Sequence, residues 1–464
     1  MSSLFFGLNT ARNALLAQTA ALNVTAHNIS NAETPGYSRQ SVHLSSLEDA
    51  VRNTLRSGKS ISIGAGVQAT EVVRSRFSLY DSIYQIQNQN LNYSQKIEEL
   101  MYQVEVLFDE PSDRGLSQTF NNFFNGWQEV ANDPQNMAAR QSLKSFGKEL
   151  AGMMQRIYGQ LVTMREDIDA EIATIPDRIN EITNEIADLN VQIRVAESQN
   201  ATANDLRDKR DYLVDELSEY VDVRSIEQKD GTYTILIGSK VVVEHESMNE
   251  LSAVTKVDPT VNVKKTAIVL SEGIEYEAKS GRMGALINFR DDTLVDIMGK
   301  MDVLAENIIE SVNYEHNYGY GLDGSSGYDF FNPQMNKAFS ISLSLDVEDV
   351  RNIAVSGDGT VGDNANALRI YDVKDKRAID NTFTLAEYYN SLISGIGIKG
   401  SEAKSGRINA ELLTTQIDNA REGVKGVSID DELIQMITTQ RIYQGASRIV
   451  TVIDSLLEEV IRLK

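Results

Sequence analysis

The sequence predicts a mainly α-helical protein with small β inserts: terminal helices paired as a coiled coil, a long helical rod domain, and inserted β-rich outer domain(s). Three observations lead there. Apolar residues recur at alternating four- and three-residue spacing at both ends of the chain. The same spacing runs through residues 150–193. Between residues 221 and 276 the composition switches to Val, Thr and Ile, with Lys229-Asp230-Gly231 as a hairpin turn.

At the N-terminus, Leu4, Leu8, Ala11, Leu15, Gln18, Leu22, Thr25 and Ile29 form a heptad seam that Pro35-Gly36 stops. Before Pro35 only Arg12 and Glu33 are charged, with His27 neutral. A helix so weakly charged suits a place among neighbours better than open solvent. At the other end Ile442, Ala446, Ile449, Ile453, Leu456 and Val460 repeat the spacing, with Tyr443, Val450 and Leu457 widening the stripe. Ser428 and Asp430 supply N-cap chemistry. Two such helices can pair with each other or with other chains, and the spacing leaves both open.

The middle begins with a Gly- and Pro-free helical stretch from Phe77 to Asp109, ended by Pro111. Phe120, Phe123, Phe124 and Trp127 make an aromatic face suited to a core, and Asp133-Pro134 turns the chain. Leu150, Met154, Ile157, Leu161, Met164 and Ile168 keep heptad spacing. After one stutter, Ile172, Ile175, Ile179, Ile182, Ile186, Leu189 and Ile193 continue it. Pro176 should kink that helix or restart it. Helical signals return over 283–317, and a mixed region covers 339–373. A last helical stretch over 382–421 is expected to break near Gly395–Gly397. The domains that follow are residues 1–35 with 429–464 as a terminal helical pair, and 36–220 with 281–321 and 376–428 as the rod. Residues 221–280 form a small β domain, and 322–375 a mixed insert.

Composition narrows the function. The chain has 464 residues and a net charge of -23, so nucleic acid and anionic membrane are poor partners. No apolar run approaches the ~20 residues of a transmembrane helix. The N-terminal segment lacks the basic leader and cleavage pattern of a signal peptide. Cysteine is absent, which fits either a reduced compartment or passage unfolded through a narrow channel. His27, His43, His245 and His316 lie far apart, and no P-loop, dinucleotide or Gly-x-Ser-x-Gly fingerprint occurs. Asp291-Asp292 and Asp430-Asp431-Glu432 stand near helix starts, where the macrodipole accounts for them. The loops 323–329 and 358–363 carry Asp and Gly without EF-hand spacing and read as turns. No catalytic residue, cofactor or metal is expected.

The stretch Ala26-His-Asn-Ile-Ser-Asn-Ala-Glu-Thr-Pro-Gly-Tyr-Ser-Arg-Gln40 resembles the N-terminal signature of flagellar rod, hook and hook-associated proteins, with Asn28, Asn31, Thr34, Pro35, Gly36 and Tyr37 as matching positions. Glu432 to Tyr443, including Gln440, looks like the C-terminal signature. Residues 123–141, 204–211 and 280–291 are similar to the hook-associated protein 1 family within that superfamily. The resemblance implies a structural adaptor joining hook to filament, with terminal helices lining an inner tube and inserts pointing outwards. The implied partners are copies of itself in a ring, the flagellar hook protein, the second junction protein (hook-associated protein 3) and an export chaperone on the C-terminal helix. It also implies an extracellular place at the hook–filament junction, reached through the flagellar channel without a cleaved signal. The alternatives are a hook or rod subunit, or a secreted coiled-coil scaffold or adhesin.

Overall fold

The computed structural model describes residues 2–47, 51–54, 60–108, 110, 115–199, 202–257, 264–271 and 273–462. The side chain of Leu4, as well as Pro111, lies outside them. In chain order the elements are α1 (Ser2–Ser30), β1 (Gln40–Ser46), β2 (Val51–Thr54), β3 (Ser60–Ile63), β4 (Val67–Arg74), α2 (Ser78–Phe108), α3 (Leu116–Asn132), α4 (Met137–Ser198) and α5 (Asn204–Tyr220). Then come β5 (Val223–Glu227), β6 (Tyr233–Ile237), β7 (Lys240–Glu244), β8 (Ser247–Met248), β9 (Leu251–Val257), β10 (Lys264–Leu270) and β11 (Glu275–Tyr276). The chain closes with α6 (Gly281–Asn288), α7 (Leu294–Tyr318), α8 (Ala365–Tyr371), α9 (Leu385–Lys425) and α10 (Ile429–Arg462). The fold is mainly helical with small sheets, and its terminal helices pair.

The chain divides into two compact units. The first comprises Met1–Gln89, Asp177–Glu250 and Leu412–Lys464. Within it α1 lies along α10, and the β1–β4 strand pair packs on α1. β5 to β8 form a four-stranded antiparallel meander. Asn190 of α4 ties that sheet down: its Nδ2 donates to Tyr233 O and His245 O, and its Oδ1 accepts from Tyr233 N at 2.9 Å. Arg210 of α5 stacks on the Tyr233 ring with 3.5 Å from Cζ to centroid.

The second unit comprises Asn90–Pro176 and Leu251–Glu411. Its core gathers Phe123, Phe124 and Trp127 of α3 with Phe330, Phe331 and His316 in edge and tilted ring contacts. The aromatic face of residues 120–127 is therefore core, as its spacing suggested. β11, β10 and β9 form a three-stranded sheet. Asp169 of α4 holds β10 by accepting from Thr266 N at 3.0 Å, and also receives Arg290 Nη1 at 2.6 Å.

Several local expectations change. α4 continues through Pro176, whose missing N–H costs about 3 kcal/mol in a helix interior. Ile172, Ile175, Ile179 and Ile182 are buried on either side and hold the helix together. The division between the units falls there. α9 is likewise unbroken at Gly395 and Gly397, because about 1 kcal/mol per glycine is too little to end a packed helix. β1 and β4 lie within the 36–220 stretch expected to be helical. The Val-, Thr- and Ile-rich region forms two sheets, β5–β8 in the first unit and β9–β11 in the second. Asp291 sits in a single π turn, Phe289–Thr293, and pairs with buried Arg290 at 2.8 Å, so the helix dipole is not its main partner.

Candidate assembly interface

The two seams meet in antiparallel fashion. Asn28 Nδ2 stands 3.1 Å from Glu432 Oε2, and a Cβ built on Gly7 would lie 3.2 Å from Ile453 Cδ1. These two contacts are three heptads apart on each helix. Each seam then splits into two registers. On α10 the buried residues are Glu432, Thr439, Ala446 and Ile453, seven apart. The other register, Ile442, Ile449 and Leu456, stays 44–53% exposed, and Val460, one heptad beyond Ile453 in the first register, is 40% exposed. On α1, Ala11, Gln18 and Thr25 are buried, whereas Leu8, Leu15, Leu22 and Ile29 are half-buried. Small and polar residues, together with Ile453, thus close the pair. The other larger apolar ones are left incompletely covered, joined by exposed Ile434, Val452 and Leu16.

Beyond α1 the signature turns the chain. Thr34 O accepts from Tyr37 N at 3.2 Å, and Gly36 adopts φ +78°. Its missing Cβ also makes room for Tyr212, whose Cβ would lie 2.9 Å away. Asn31 caps locally, donating to His27 O at 3.0 Å and accepting from Thr34 Oγ1 at 3.3 Å. Pro35 is exposed.

Asn28 is the centre of the turn. Its Nδ2 donates to Gln40 O and Glu432 Oε2, and its Oδ1 accepts from Tyr37 Oη at 2.8 Å and Gln40 N at 2.9 Å. Both donors and both lone pairs of the amide are used, and the Gln40 backbone fixes which end is which. Arg39 Nε donates to Glu432 Oε1 at 2.6 Å. α5 grips the outgoing chain: Asp208 accepts from Ser38 N, and Asp205 accepts from Gln40 Nε2 at 2.7 Å and faces His27 at 3.2 Å. Burial, with Asp205, Asp208 and Glu432 close by, pushes the Tyr37 phenol well above its ordinary pKa.

Below it lies a buried charge network. Arg74 bonds Asp208 and Asp211, Arg76 bonds Asp211 and Asp81, and Arg421 bonds Asp81 and Asp215. Burial alone would raise Asp211, but Arg76 and Arg74 outweigh it and hold that carboxyl below the usual range. At Asp215 burial prevails over Arg421 and the pKa is raised.

The signature positions Asn28, Asn31, Thr34, Gly36 and Tyr37 therefore come together, while Gln440 and Tyr443 sit exposed on α10 away from them. Sequence reasoning missed Glu432, which is 1% exposed. The macrodipole does not account for it. Its signal was phase, since it leads the heptad register of Thr439, Ala446 and Ile453. Among the described residues no group of His, Asp and Glu is placed to hold a metal ion, and no helix is long and apolar enough to cross a membrane. The Asp323 and Asp358 carboxylates cap their own loops, accepting from Ser325 N at 2.9 Å and Thr360 N at 2.8 Å.

Comparison with known families places both ends of the chain among flagellar axial proteins. Residues 8–37 match the flagella basal body rod protein model, and residues 424–463 match the flagellar basal body rod FlgEFG protein C-terminal model. Between them, residues 101–331 match the flagellar hook-associated protein FlgK helical domain. The chain is 29% identical to flagellar hook-associated protein 1 of Bacillus subtilis over 99% of its own length and 98% of that protein's. With the protein of the same name from Escherichia coli it shares 22% identity across the whole of both chains. The solved structure of the flagellar hook junction protein FlgK from Burkholderia pseudomallei has the same fold, with a TM-score of 0.65 at 16% identity, over 74% of this chain and 100% of that one. The chain belongs to the flagellar hook-associated protein 1 family, whose members are structural components of the bacterial flagellum.

Proposed function

We propose that the chain is the adaptor subunit joining flagellar hook to filament, and that it templates filament growth. The observation that carries this is the apolar register Ile442, Ile449 and Leu456. It spans two heptads of α10 and is left open after α1 has paired. A surface of that kind wants further helices, and a head-to-tail ring of copies supplies them while leaving one face for the hook protein and one for hook-associated protein 3. Residues 1–35 and 429–464 form the inner helical part in this reading. Residues 36–220, 281–321 and 376–428 surround it, and 221–280 and 322–375 are turned outwards. Before assembly the open stripe of α10 is the natural place for an export chaperone. Export proceeds through the flagellar channel without a cleaved signal.

A clean deletion strain tests it. Hooks should form without filaments, and unpolymerised filament subunits should collect in the medium. Purified protein should restore filaments, and a version lacking residues 1–34 should not. Normal filaments on the deletion strain would favour a secreted scaffold, and loss of the hook itself would favour a hook or rod subunit.

A further inference from the structure

Heptad seams have a weakness that this pair shares. Both helices repeat every seven residues, so a slide of one heptad brings like positions back into contact. In an antiparallel pair the slide is about 10 Å at 1.5 Å per residue. The buried register of α1 is Ala11, Gln18 and Thr25, and that of α10 includes Thr439 and Ala446. These side chains are small or uncharged, and none of them discriminates strongly between the correct alignment and its neighbours.

Glu432 does. It stands in that same register as a buried carboxylate, and its oxygens are taken by Arg39 Nε at 2.6 Å and Asn28 Nδ2 at 3.1 Å. Any slide of one heptad would leave the carboxylate buried against the α1 seam or carry it off the end of α1. Either way both bonds are lost. Asn28 meanwhile is bound to the Gln40 backbone, and Ser38 and Gln40 are bound to Asp208 and Asp205 of α5, so the partner of Glu432 cannot follow the slide.

We propose that the Asn28–Glu432–Arg39 clasp is a register key. It sets the alignment of the terminal helices, and with it the height at which the open stripe Ile442, Ile449 and Leu456 is presented, and contributes specificity more than stability. A buried ionic contact costs desolvation that its own bonds about repay, whereas a misaligned one is strongly penalised. The inference concerns the chain itself and stands whether or not the junction role is correct.

The experiment measures alignment and stability separately. The chain has no cysteine, so Thr19→Cys and Arg441→Cys, which lie level across the pair, introduce one spin label on the exposed side of each helix without background. The parent should give one narrow spin–spin distance. Arg39→Leu with Glu432→Leu, which leaves the Asn28 bonds to Gln40 and Tyr37 in place, should keep the thermal midpoint within a few degrees and add a second distance population displaced by several ångströms. Glu432→Gln, which keeps an acceptor and the shape, should retain the single distance. Asn28→Ala alone should lower the midpoint, because it strands the carboxylate. A single unshifted distance in the double Leu variant overturns the proposal. So does loss of the α1–α10 helical signal in that variant, which would make the clasp a source of stability.

Discussion

The backbone N–H of Ala354 donates to His316 Nε2 at 3.0 Å. His316 Nδ1 lies 2.6 Å from Tyr328 O, so it carries the proton and the ring is neutral. Trp127 and Phe330 close over the imidazole. Burial pushes its pKa from 6.5 down to about 4. The Asp346 carboxylate pulls the other way, and Arg140 adds to the lowering. A proton on Nε2 would face a donor.

Acid should therefore loosen the second unit. Between about pH 6.5 and 4 the unfolded chain binds a proton at His316 that the folded chain refuses. Stability falls as the pH falls through that window and levels off below it. At ~1.4 kcal/mol per pH unit the total is about 3 kcal/mol. Trp127 is the only tryptophan and touches His316, so its fluorescence reports this unit. The urea midpoint should drop from pH 7 to pH 4, and His316→Gln should be less stable at pH 7 but flatter over the window. An equal slope in the variant would show that other groups drive the change.

Gly36→Ala tests the signature turn. A side chain at φ +78° costs about 1–2 kcal/mol, and here the added Cβ also meets Tyr212 at 2.9 Å. The thermal midpoint of the first unit should fall by several degrees. Pro35→Ala, at an exposed position, should change it far less. Equal effects would mean that the turn is tolerant and the glycine is there for another reason.

What could be read in advance follows from where the information lies. The isoleucines of α4 were legible because burial on one helix face writes a period into the sequence, whereas in α1 and α10 burial follows only one of the two registers that the same period suggested. β1 and β4 were not legible, because the strand Gln40–Ser46 is largely exposed on both faces and carries no alternation to read. Glu432 was mistaken for dipole compensation because three acids begin α10, and only the partner helix shows which one turns inward. The acids of residues 204–211 were visible as a motif. That they hold the turn at 37–40 is a long-range fact, encoded in no local pattern. A helix restart at Pro176 and a break at Gly395 were misleading expectations for the opposite reason, since local propensity is outweighed by packing around it.

The split of the seam into two registers separates assembly from folding. Ile449 is 53% exposed and Ile453 is 8% exposed, although they lie on the same helix four residues apart. Ile449→Asp should leave the thermal midpoint nearly unchanged and abolish incorporation into the flagellum, because the charge becomes buried only among neighbours. Leu15→Asp should also block incorporation, with some loss of stability. Ile453→Asp should cost several kcal/mol in the monomer, since it places a charge against Gly7. His27→Ala, removing half-exposed contacts with Asp205, Asn31 and the Tyr37 ring, should be mild. Tolerated charges at Ile449 and Leu15 together with a severe His27→Ala would point to a ligand site at the turn.

The terminal pair should be the first part of the isolated chain to open. α10 buries only Glu432, Thr439, Ala446 and Ile453, so little apolar surface is lost to water when it detaches. Its Arg441 and Arg448 are exposed, whereas Arg140, Arg210 and Arg290 are almost wholly buried. Trypsin should cut after Arg448 and Arg441 first, and continued digestion should leave a core of roughly residues 36–428. Hydrogen exchange gives the same comparison without cleavage. Amides of α10 beyond Gln440 should exchange about a thousandfold faster than those of Ile172–Ile193, a difference of ~4 kcal/mol in opening free energy. In the assembled flagellum the gap should close, because neighbours cover the open register of Ile442, Ile449 and Leu456. Equal protection in the isolated chain would mean that α1 and α10 already form a closed coiled coil, and that assembly must use another surface.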